Sequence, residues 1–293
     1  MTRLQEYDFV EPYMQEDSST NSRLWRVSYF LRESPLPRNF RRTVIDTIQG
    51  MPKLPIPEPV NVKVGGVPIR FKIETQVDWE RLANPLYEGE FANIIMNSLR
   101  EVGSNGVFWD IGAAQGLYAV PAVNVVGRVV AFEPEAETHQ SLLRNMELND
   151  ISGKATCLKI ALGDSDGLIS LFSEGKHGDS PSVKKVNKNK RSTMVESHRI
   201  DTLIDSGAVP SPEVVKIDIE GHELSVLKGG EKLFTSDKKP KYLLMEIHPV
   251  YLSQFYNSSF KEIWNIITET YGYTPQLVMS HHPNRFMCYF KSI

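Results

Sequence analysis

Two stretches of the sequence combine acidic residues with glycines in patterns that suggest ligand binding. The first, "VFWDIGAAQG" (107–116), runs from apolar residues into Asp110, Gly112 and Gly116. A dinucleotide site would need a glycine in place of Asp110, so that backbone N–H groups could close on a pyrophosphate. A carboxylate there would repel a pyrophosphate and suits a ligand with a cationic end, such as S-adenosylmethionine (SAM). The stretch therefore favours SAM over NAD.

An acid at the end of the next apolar run supports this interpretation. Glu133 follows "RVVAF" about twenty residues after Gly112, which is where dinucleotide-binding folds place the acid that binds ribose hydroxyls. Together the two motifs predict a nucleoside-containing cofactor. The alternative is that both glycines only form turns and that Glu133 is a solvated strand end.

Acidic and imidazole side chains follow two later apolar runs: Asp218, Glu220, Glu223, Glu246 and His248. Alternation along a strand would place Lys216, Asp218 and Glu220 on one side of the pleat. Carboxylates and imidazoles gathered at one edge shift one another's pKa values, which is typical of a functional site. The alternative for Glu220 and Glu223 is that they stabilise the N-terminus of the following helix through their negative charge.

A SAM site next to these residues predicts methyl transfer, and an acceptor such as a neutral alcohol is a poor nucleophile without a base. The sulfonium of SAM is already a good leaving group, so the protein must align the reactants and supply a base. His248 is the first candidate for the base, followed by Asp218 and Glu220, with Glu246 beside His248 as a further catalytic residue. His222 is a weaker candidate for the base. The alternative is a divalent metal bound by Asp218, Glu246 and a neighbour, although the preferred prediction has no metal.

The segments around these motifs predict alternating strands and helices. The strands are predicted at 106–112, 128–134, 154–162, 168–173, 213–220, 241–249, 273–280 and 285–293. The helices are predicted at 116–126, 135–149, 222–230 and 259–271. This alternation is typical of an α/β, doubly wound, mostly parallel sheet covered on both faces, and the last two strands form an antiparallel hairpin. The candidate site residues then lie at the carboxyl ends of the strands, with His281 and His282 at the same edge.

The first part of the chain is predicted to be separate from this core. Residues 1–59 are expected to form an extension with a basic helix at 21–33 and a proline-rich linker. Residues 60–104 read as a hairpin and a helix that lead into a core at 105–293. The helix at 21–33 either packs on the main domain or lies on a membrane surface or an anionic partner.

Composition limits the classes of function. The chain has 293 residues, is 41% hydrophobic and carries a net charge of −3, which excludes a broadly basic nucleic-acid binder. Cys157 and Cys288 lie inside apolar runs, as expected for reduced thiols. No apolar run reaches the ~18 residues that a membrane span needs. We therefore expect a soluble, cytoplasmic protein.

The motifs "DIGAAQG", "VVAFEP", "ALGD", "VVKIDIEGHELSVLKGG" and "LLMEIHP" resemble those of the FkbM-type SAM-dependent methyltransferases, in the same order and spacing. The resemblance spans about residues 85–250. It implies a Rossmann-like class I methyltransferase fold with seven strands, at 60–293 of this chain. It also implies O-methylation of a sugar, a glycan or a natural-product hydroxyl.

The resemblance also implies roles for individual residues. The methionine end of SAM would be held by Asp110, Gly112, Ala113 and Gly116, and the ribose by Glu133. Ala161 and Leu162 would flank the adenine, with Asp164 near its amino group. Asp218 would face the SAM amino group or the reacting centre. The family usually has Asn where Ala114 stands, which would remove one polar contact to the cofactor.

The acceptor and its binding residues stay open. The basic segment 184–191 is either a surface loop or a lid that would attract a phosphorylated, sulfated or nucleic-acid acceptor. No aromatic residues interleave in it, which makes RNA or nucleoside methylation the weaker alternative. A further alternative is a non-catalytic scaffold that binds a partner through the extension. The oligomeric state is not predicted.

Overall fold

The computed structural model describes residues 59–72, 85–173, 182–183, 191–282 and 285–292. The expected basic helix at 21–33, the proline-rich linker before Pro59 and residues 184–190 lie outside the described residues. So do the side chains of His281 and His282. Among the helices that are described, none is long and apolar enough to cross a bilayer.

A hairpin and a helix precede the core, as predicted. Strands β1 (Val60–Val64) and β2 (Val67–Phe71) pair antiparallel around Gly65 and Gly66, which both have positive φ. Helix α1 (Pro85–Val102) follows. Arg100 of this helix donates a hydrogen bond of 2.6 Å to the carbonyl of Gly65, so the turn of the hairpin is held against the helix.

The remaining strands in chain order are β3 (Val107–Ile111), β4 (Arg128–Phe132), β5 (Ala155–Leu158), β6 (Ala161–Leu162), β7 (Gly167–Ser173), β8 (Arg191–His198), β9 (Val214–Ile217), β10 (Tyr242–Ile247), β11 (Tyr273–His282) and β12 (Arg285–Ser292). Seven of them form a central sheet in the order β11-β12-β10-β9-β3-β4-β5. The β3–β4, β4–β5, β3–β9 and β9–β10 pairs are parallel, whereas β12 is antiparallel to both of its neighbours. The predicted doubly wound sheet with a terminal antiparallel hairpin is confirmed.

Helices cover both faces of this sheet. They are α2 (Ala119–Ala122), α3 (Ala136–Leu148), α4 (Ile200–Asp205), α5 (Glu223–Gly229), α6 (Glu231–Thr235), α7 (Pro249–Tyr256) and α8 (Phe260–Asn265), which continues into a π-helical turn (Ile266–Thr270). Phe108 and Trp109 are consecutive in β3 and fully buried, yet they belong to two different hydrophobic clusters. The alternation of a strand therefore feeds one core on each face of the sheet. Cys157 and Cys288 are free thiols, as expected.

The single strand predicted at 154–162 is wrong. The segment divides after Leu158: β5 pairs with β4 in the central sheet, and β6 pairs with β8 in a separate sheet of order β6-β8-β7. Strand β8 was not predicted. Residues 192–194 and 196 are exposed, so β8 lacks the apolar alternation that marks a half-buried strand.

Two predicted helices are also shorter or less regular than expected. The predicted helix at 116–126 is reduced to the single turn Ala119–Ala122, because Gly116 has a φ of +94° and Pro121 lacks a backbone donor. The predicted helix at 259–271 is α8 followed by the π-helical turn. Neither change affects the order of the strands.

Candidate active site

The turn after β3 is built around a glycine that no other residue can replace without a shift of the backbone. Gly112 has a φ of +76°, and a Cβ atom on it would lie 1.9 Å from the carbonyl oxygen of Asp218. The N–H groups of Gly112 and Ala113 both donate to the carbonyl of Phe132 at 3.0 Å. The turn is therefore fixed between the ends of β4 and β9, where a ligand over the sheet would lie.

Two other small residues of this turn have distinct positions. Gly116 has a φ of +94°, and a Cβ atom on it would lie 2.7 Å from Leu142 of α3, so this glycine allows close packing. Ala114 lines the pocket with a φ of +48°, a conformation that Asn adopts more readily than Ala. The residue that departs from the FkbM pattern therefore occupies a strained position.

Glu133 holds the turn through backbone contacts. One carboxylate oxygen accepts the N–H of Ala114 at 3.0 Å and the other accepts the N–H of Glu135 at 2.9 Å. Burial raises the pKa of Glu133 to about 7, although these backbone hydrogen bonds oppose the shift. The carboxylate lines the pocket and keeps acceptor capacity for hydroxyl groups.

Asp110 lies beneath the turn and has a protein partner. It is fully buried, and the Nζ atom of Lys216 lies 3.1 Å from its Oδ1 atom. Lys216 also donates to the carbonyl of Gly112 at 2.8 Å. Burial raises the pKa of Asp110, whereas Lys216 acts against that shift. The Asp110–Lys216 pair connects β3 and β9 below the glycine turn. Direct contact of Asp110 with a cationic cofactor stays a prediction.

A pocket that is partly open to solvent lies above this turn. Its wall combines Gly112 and Glu133 with the apolar Ala161 and Leu162 and with the polar Asp218, Glu220 and His222. Leu171, Ser182 and Val183 line it from the side of the small sheet. A concave, mostly apolar wall with a few polar groups is typical of small-molecule sites.

Four of the predicted cofactor residues do not line this pocket. Asp110, Ala113 and Gly116 lie under or behind the turn, and the exposed Asp164 lies beyond β6. The N–H of Asp164 donates to the hydroxyl of Ser225 at 3.2 Å. The structure thus brings Gly112, Glu133, Ala161, Leu162 and Asp218 together around one pocket.

The four predicted catalytic residues lie together at the ends of β9 and β10. The Nε2 atom of His248 is 3.5 Å from an oxygen of Glu220 and 3.7 Å from an oxygen of Glu246. Ligand atoms of Asp218, Glu246 and His248 all lie within 4.8 Å of one another. Glu220 has a φ of +52°, and such strain in a non-glycine residue is concentrated at functional sites.

Glu223 has a role that the sequence did not indicate. It is fully buried, and its Oε1 atom is 2.7 Å from the Nδ1 atom of His248 and 2.9 Å from the N–H of Gly221 that donates to it. Glu223 therefore holds the imidazole of His248 as well as the turn before α5. Its spacing from Glu220 was visible in the sequence, but its pairing with His248 depends on the approach of β10.

Arg285 was not predicted as a site residue, because it lies in the last hairpin, far in sequence from the acids that it contacts. Its guanidinium lies 3.5 Å from Glu246 and 3.9 Å from Glu220. The expected position of the hairpin tip at the carboxyl edge was the available signal. His222, the weaker candidate for the base, lines the pocket and forms a hydrogen bond of 2.7 Å with the hydroxyl of Tyr256.

The cluster changes the protonation of its members. Burial would lower the pKa of His248, but the hydrogen bond that its imidazole donates to Glu223 and the charges of the surrounding carboxylates outweigh burial and raise the pKa to about 10. Burial and the charge of Asp218 raise the pKa of Glu246. A protonated imidazole cannot accept a proton, so at neutral pH these pKa values favour a carboxylate as the base.

Comparison with known proteins identifies the family. Residues 110–275 match the methyltransferase FkbM domain. The hexuronic acid methyltransferase AglP of Haloferax volcanii is 31% identical over 198 residues, which are 66% of this chain and 76% of that protein. Methyltransferase 1 of Beauveria bassiana is 28% identical over 120 residues, which are 34% of this chain and 48% of that protein.

A solved structure has the same family name. The chain is similar to the crystal structure of an FkbM methyltransferase from Methylobacillus flagellatus, with a TM-score of 0.44 and 16% identity. The match covers 73% of this chain and 60% of that chain. The FkbM domain match covers more than half of the chain. The chain therefore belongs to the FkbM methyltransferase family and is a SAM-dependent methyltransferase.

Proposed function

We propose that this enzyme transfers the methyl group of SAM to a hydroxyl group of a sugar or glycan. One observation carries the proposal: the pocket above the glycine turn and the carboxylate–imidazole cluster share Asp218 and Glu220. A donor in the pocket and an acceptor at the cluster would therefore meet at the end of β9. The name of the AglP relative, a hexuronic acid methyltransferase, supports a sugar acceptor.

In this proposal SAM spans the pocket. Its ribose hydroxyls donate to Glu133, and its adenine packs against Ala161 and Leu162. Its methionine end lies over Gly112, where the absence of a side chain leaves room. Its methyl group then points towards Asp218. Asp110 supports this arrangement from below through Lys216.

Glu220 is proposed as the base. Its carboxylate lines the pocket, its side chain is 13% exposed, and it lies next to His248 and Arg285. Glu220 would take the hydroxyl proton while the acceptor oxygen forms a bond to the methyl carbon. The C–S bond breaks with its electron pair on sulfur, which leaves S-adenosylhomocysteine (SAH).

Alignment supplies most of the rate enhancement. Holding the acceptor oxygen, the methyl carbon and the sulfur in line can lower the activation free energy by about 7–11 kcal/mol. A base within hydrogen-bond reach adds about 10²–10⁴-fold. Glu220→Gln is therefore expected to reduce kcat by about 10²–10⁴-fold while SAH binding stays close to that of the wild type.

The test is transfer of tritium-labelled methyl from SAM to panels of acceptors: hexuronic acid glycans, neutral sugars, small alcohols and RNA. Exposed Glu269→Gln, on the π-helical turn, removes the same charge away from the pocket and is the control. Labelling of hexuronic acid or neutral sugars supports the proposal. Labelling of RNA alone, or full turnover by Glu220→Gln, would contradict it.

A further inference from the structure

Three side chains at the ends of β9 and β10 present oxygen and nitrogen ligands to one point. The ligand atoms of Asp218, Glu246 and His248 lie within 4.8 Å of one another. Ligands bound at about 2.0–2.2 Å from one cation are at most about 4.4 Å apart. Small side-chain rotations would therefore bring all three atoms to a common cation, without movement of the strands.

One nitrogen atom in this group is buried and points into the carboxylates. The Nε2 atom of His248 has no hydrogen-bond partner among the described residues, and the residue is 2% exposed. Its nearest carboxylate oxygens, at 3.5 and 3.7 Å, are beyond normal hydrogen-bond length. A nitrogen atom held in this way among carboxylates is in the position of a metal ligand.

The other ring nitrogen of His248, Nδ1, is held by a carboxylate, as is usual in histidines that bind a metal. Glu223 lies 2.7 Å from the Nδ1 atom of His248 and is fully buried. Metal-ligating histidines characteristically donate their other N–H to a carboxylate, which fixes the ring and its tautomer. With Nδ1–H given to Glu223, a cation that displaces the proton of Nε2 would bind the lone pair on the side of Asp218 and Glu246.

Charge in the cluster also favours a cation. Three carboxylates, those of Asp218, Glu220 and Glu246, meet at this edge, with Glu223 behind His248. Arg285 supplies positive charge from the side, at 3.5 and 3.9 Å, and its side chain is 33% exposed. A divalent ion between the strand ends would balance the negative charge of these carboxylates.

We propose that Asp218, Glu246 and His248 bind a divalent cation of the Mg²⁺ or Mn²⁺ type. Carboxylates suit both ions, and because imidazole is a ligand of transition metals, Mn²⁺ is the better probe of the two. The role of this cation rests on the proposed function. The coordination positions that the three residues leave open would bind the acceptor hydroxyl and lower the pKa of that hydroxyl. Glu220 would then receive the proton as the oxygen takes the methyl group from sulfur.

Binding of Mn²⁺ tests the cation site in the absence of both SAM and the methyl acceptor. The full chain, stripped with EDTA and dialysed, is titrated with Mn²⁺ by calorimetry and by electron paramagnetic resonance. We expect one saturable site per chain, with nitrogen coupling from an imidazole in the resonance spectrum. His248→Ala should abolish this coupling, and Glu246→Gln should abolish saturable binding.

Two further variants separate ligation from general negative charge. Glu223→Gln should weaken Mn²⁺ binding by about 10–100-fold, because it releases the imidazole without removing a ligand. Glu220→Gln removes a neighbouring carboxylate that is not a ligand and should keep the site. SAH binding to each variant checks that the pocket remains folded.

The outcomes also distinguish the cation site from the proposed function. No saturable binding at millimolar Mn²⁺, or equal losses in Glu220→Gln and Glu246→Gln, would overturn the site while leaving methyl transfer intact. Saturable binding with imidazole coupling supports the site even where no sugar is methylated, a result that would contradict only the acceptor. Competition by Mg²⁺ would identify the class of ion.

Discussion

At the scale of residues, three buried acids lie around the pocket and each has a different partner: Lys216 for Asp110, two backbone N–H groups for Glu133, and His248 for Glu223. A buried charge without a partner strongly destabilises a fold. Removing a partner should therefore be as damaging as removing the acid.

The protonation of Glu133 should control cofactor affinity. Its pKa is raised to about 7 by burial, and SAM is expected to bind the ionised form because that form accepts from the ribose hydroxyls. Affinity should be constant above pH 7 and fall by up to about tenfold per pH unit below it. Calorimetric titration with SAH between pH 5.5 and 8.5 measures this.

Variants assign the pH effect to this residue. Glu133→Gln should bind SAH weakly at every pH and lose the dependence. Glu137→Gln, an exposed acid in the first turn of α3, should keep the wild-type profile. An unchanged slope in Glu133→Gln would assign the dependence to another group.

The Asp110–Lys216 pair should behave as a unit. Lys216→Met leaves a buried carboxylate without its counter-ion and is expected to lower the free energy of unfolding by about 3–5 kcal/mol. The double variant Asp110→Asn/Lys216→Met should recover much of this loss. Urea denaturation of the wild type, both single variants and the double variant measures the coupling. Strictly additive losses would show that the two residues act independently.

At the scale of elements, the close approach of the turn after β3 to the end of β9 depends on Gly112. Gly112 and Gly103 both have a φ of +76°, but a Cβ atom on Gly103 would meet nothing within 4 Å, whereas one on Gly112 would lie 1.9 Å from Asp218. Gly103→Ala should cost about 1–2 kcal/mol, from backbone conformation alone.

Gly112→Ala carries the same conformational cost and in addition must displace the backbone at the end of β9. We expect it to abolish SAH binding, whereas Gly103→Ala should bind SAH normally. Denaturation and calorimetry on the two variants compare these effects directly. Equal stability and equal affinity in both would mean that the contact with Asp218 does not position the turn.

The central sheet could be predicted because its strands are apolar and end at recognisable turns. Strand β3 and the hairpin β11–β12 carried clear signals of that kind. Strand β8 carried none, since most of its side chains are exposed. The division between β5 and β6 was equally invisible, because the apolar run continues through Ile160 while its hydrogen-bonding partner changes.

Those site residues could be predicted that directly follow a strand of the parallel sheet. Gly112, Glu133 and Asp218 follow strand ends, so sheet topology places them at one edge. The contacts of Glu223 with His248 and of Arg285 with Glu246 join elements distant in sequence. The pairing of Asp110 with Lys216 likewise depends on β9 lying beside β3, which sequence spacing alone does not specify.

At the scale of the whole molecule, a cofactor that binds only the folded state should stabilise it. SAH at about 100 times its Kd should add about 2.7 kcal/mol to the free energy of unfolding. Thermal denaturation with SAH, SAM and NAD compares the ligands. Stabilisation by NAD and none by SAM or SAH would contradict the cofactor assignment.

Residues 60–293 are proposed to form the methyltransferase domain, with 1–59 as a separate extension. The hairpin β1–β2 packs into the same hydrophobic cluster as α1 and β3, so a cut before residue 60 keeps every described residue of this cluster. A chain beginning at residue 60 should therefore show the same gain in Tm with SAH as the full chain. Loss of that gain would place part of the cofactor site in residues 1–59.

The pocket lies at the boundary between the two sheets. Gly112, Glu133 and Asp218 follow strands of the large sheet, whereas Leu162 and Leu171 belong to the small one. We therefore predict that SAH leaves the pocket when the small sheet moves away from the large sheet. The residence time of SAH would then follow local opening, and bound SAH should slow hydrogen exchange in β7 and β8 far more than in β9.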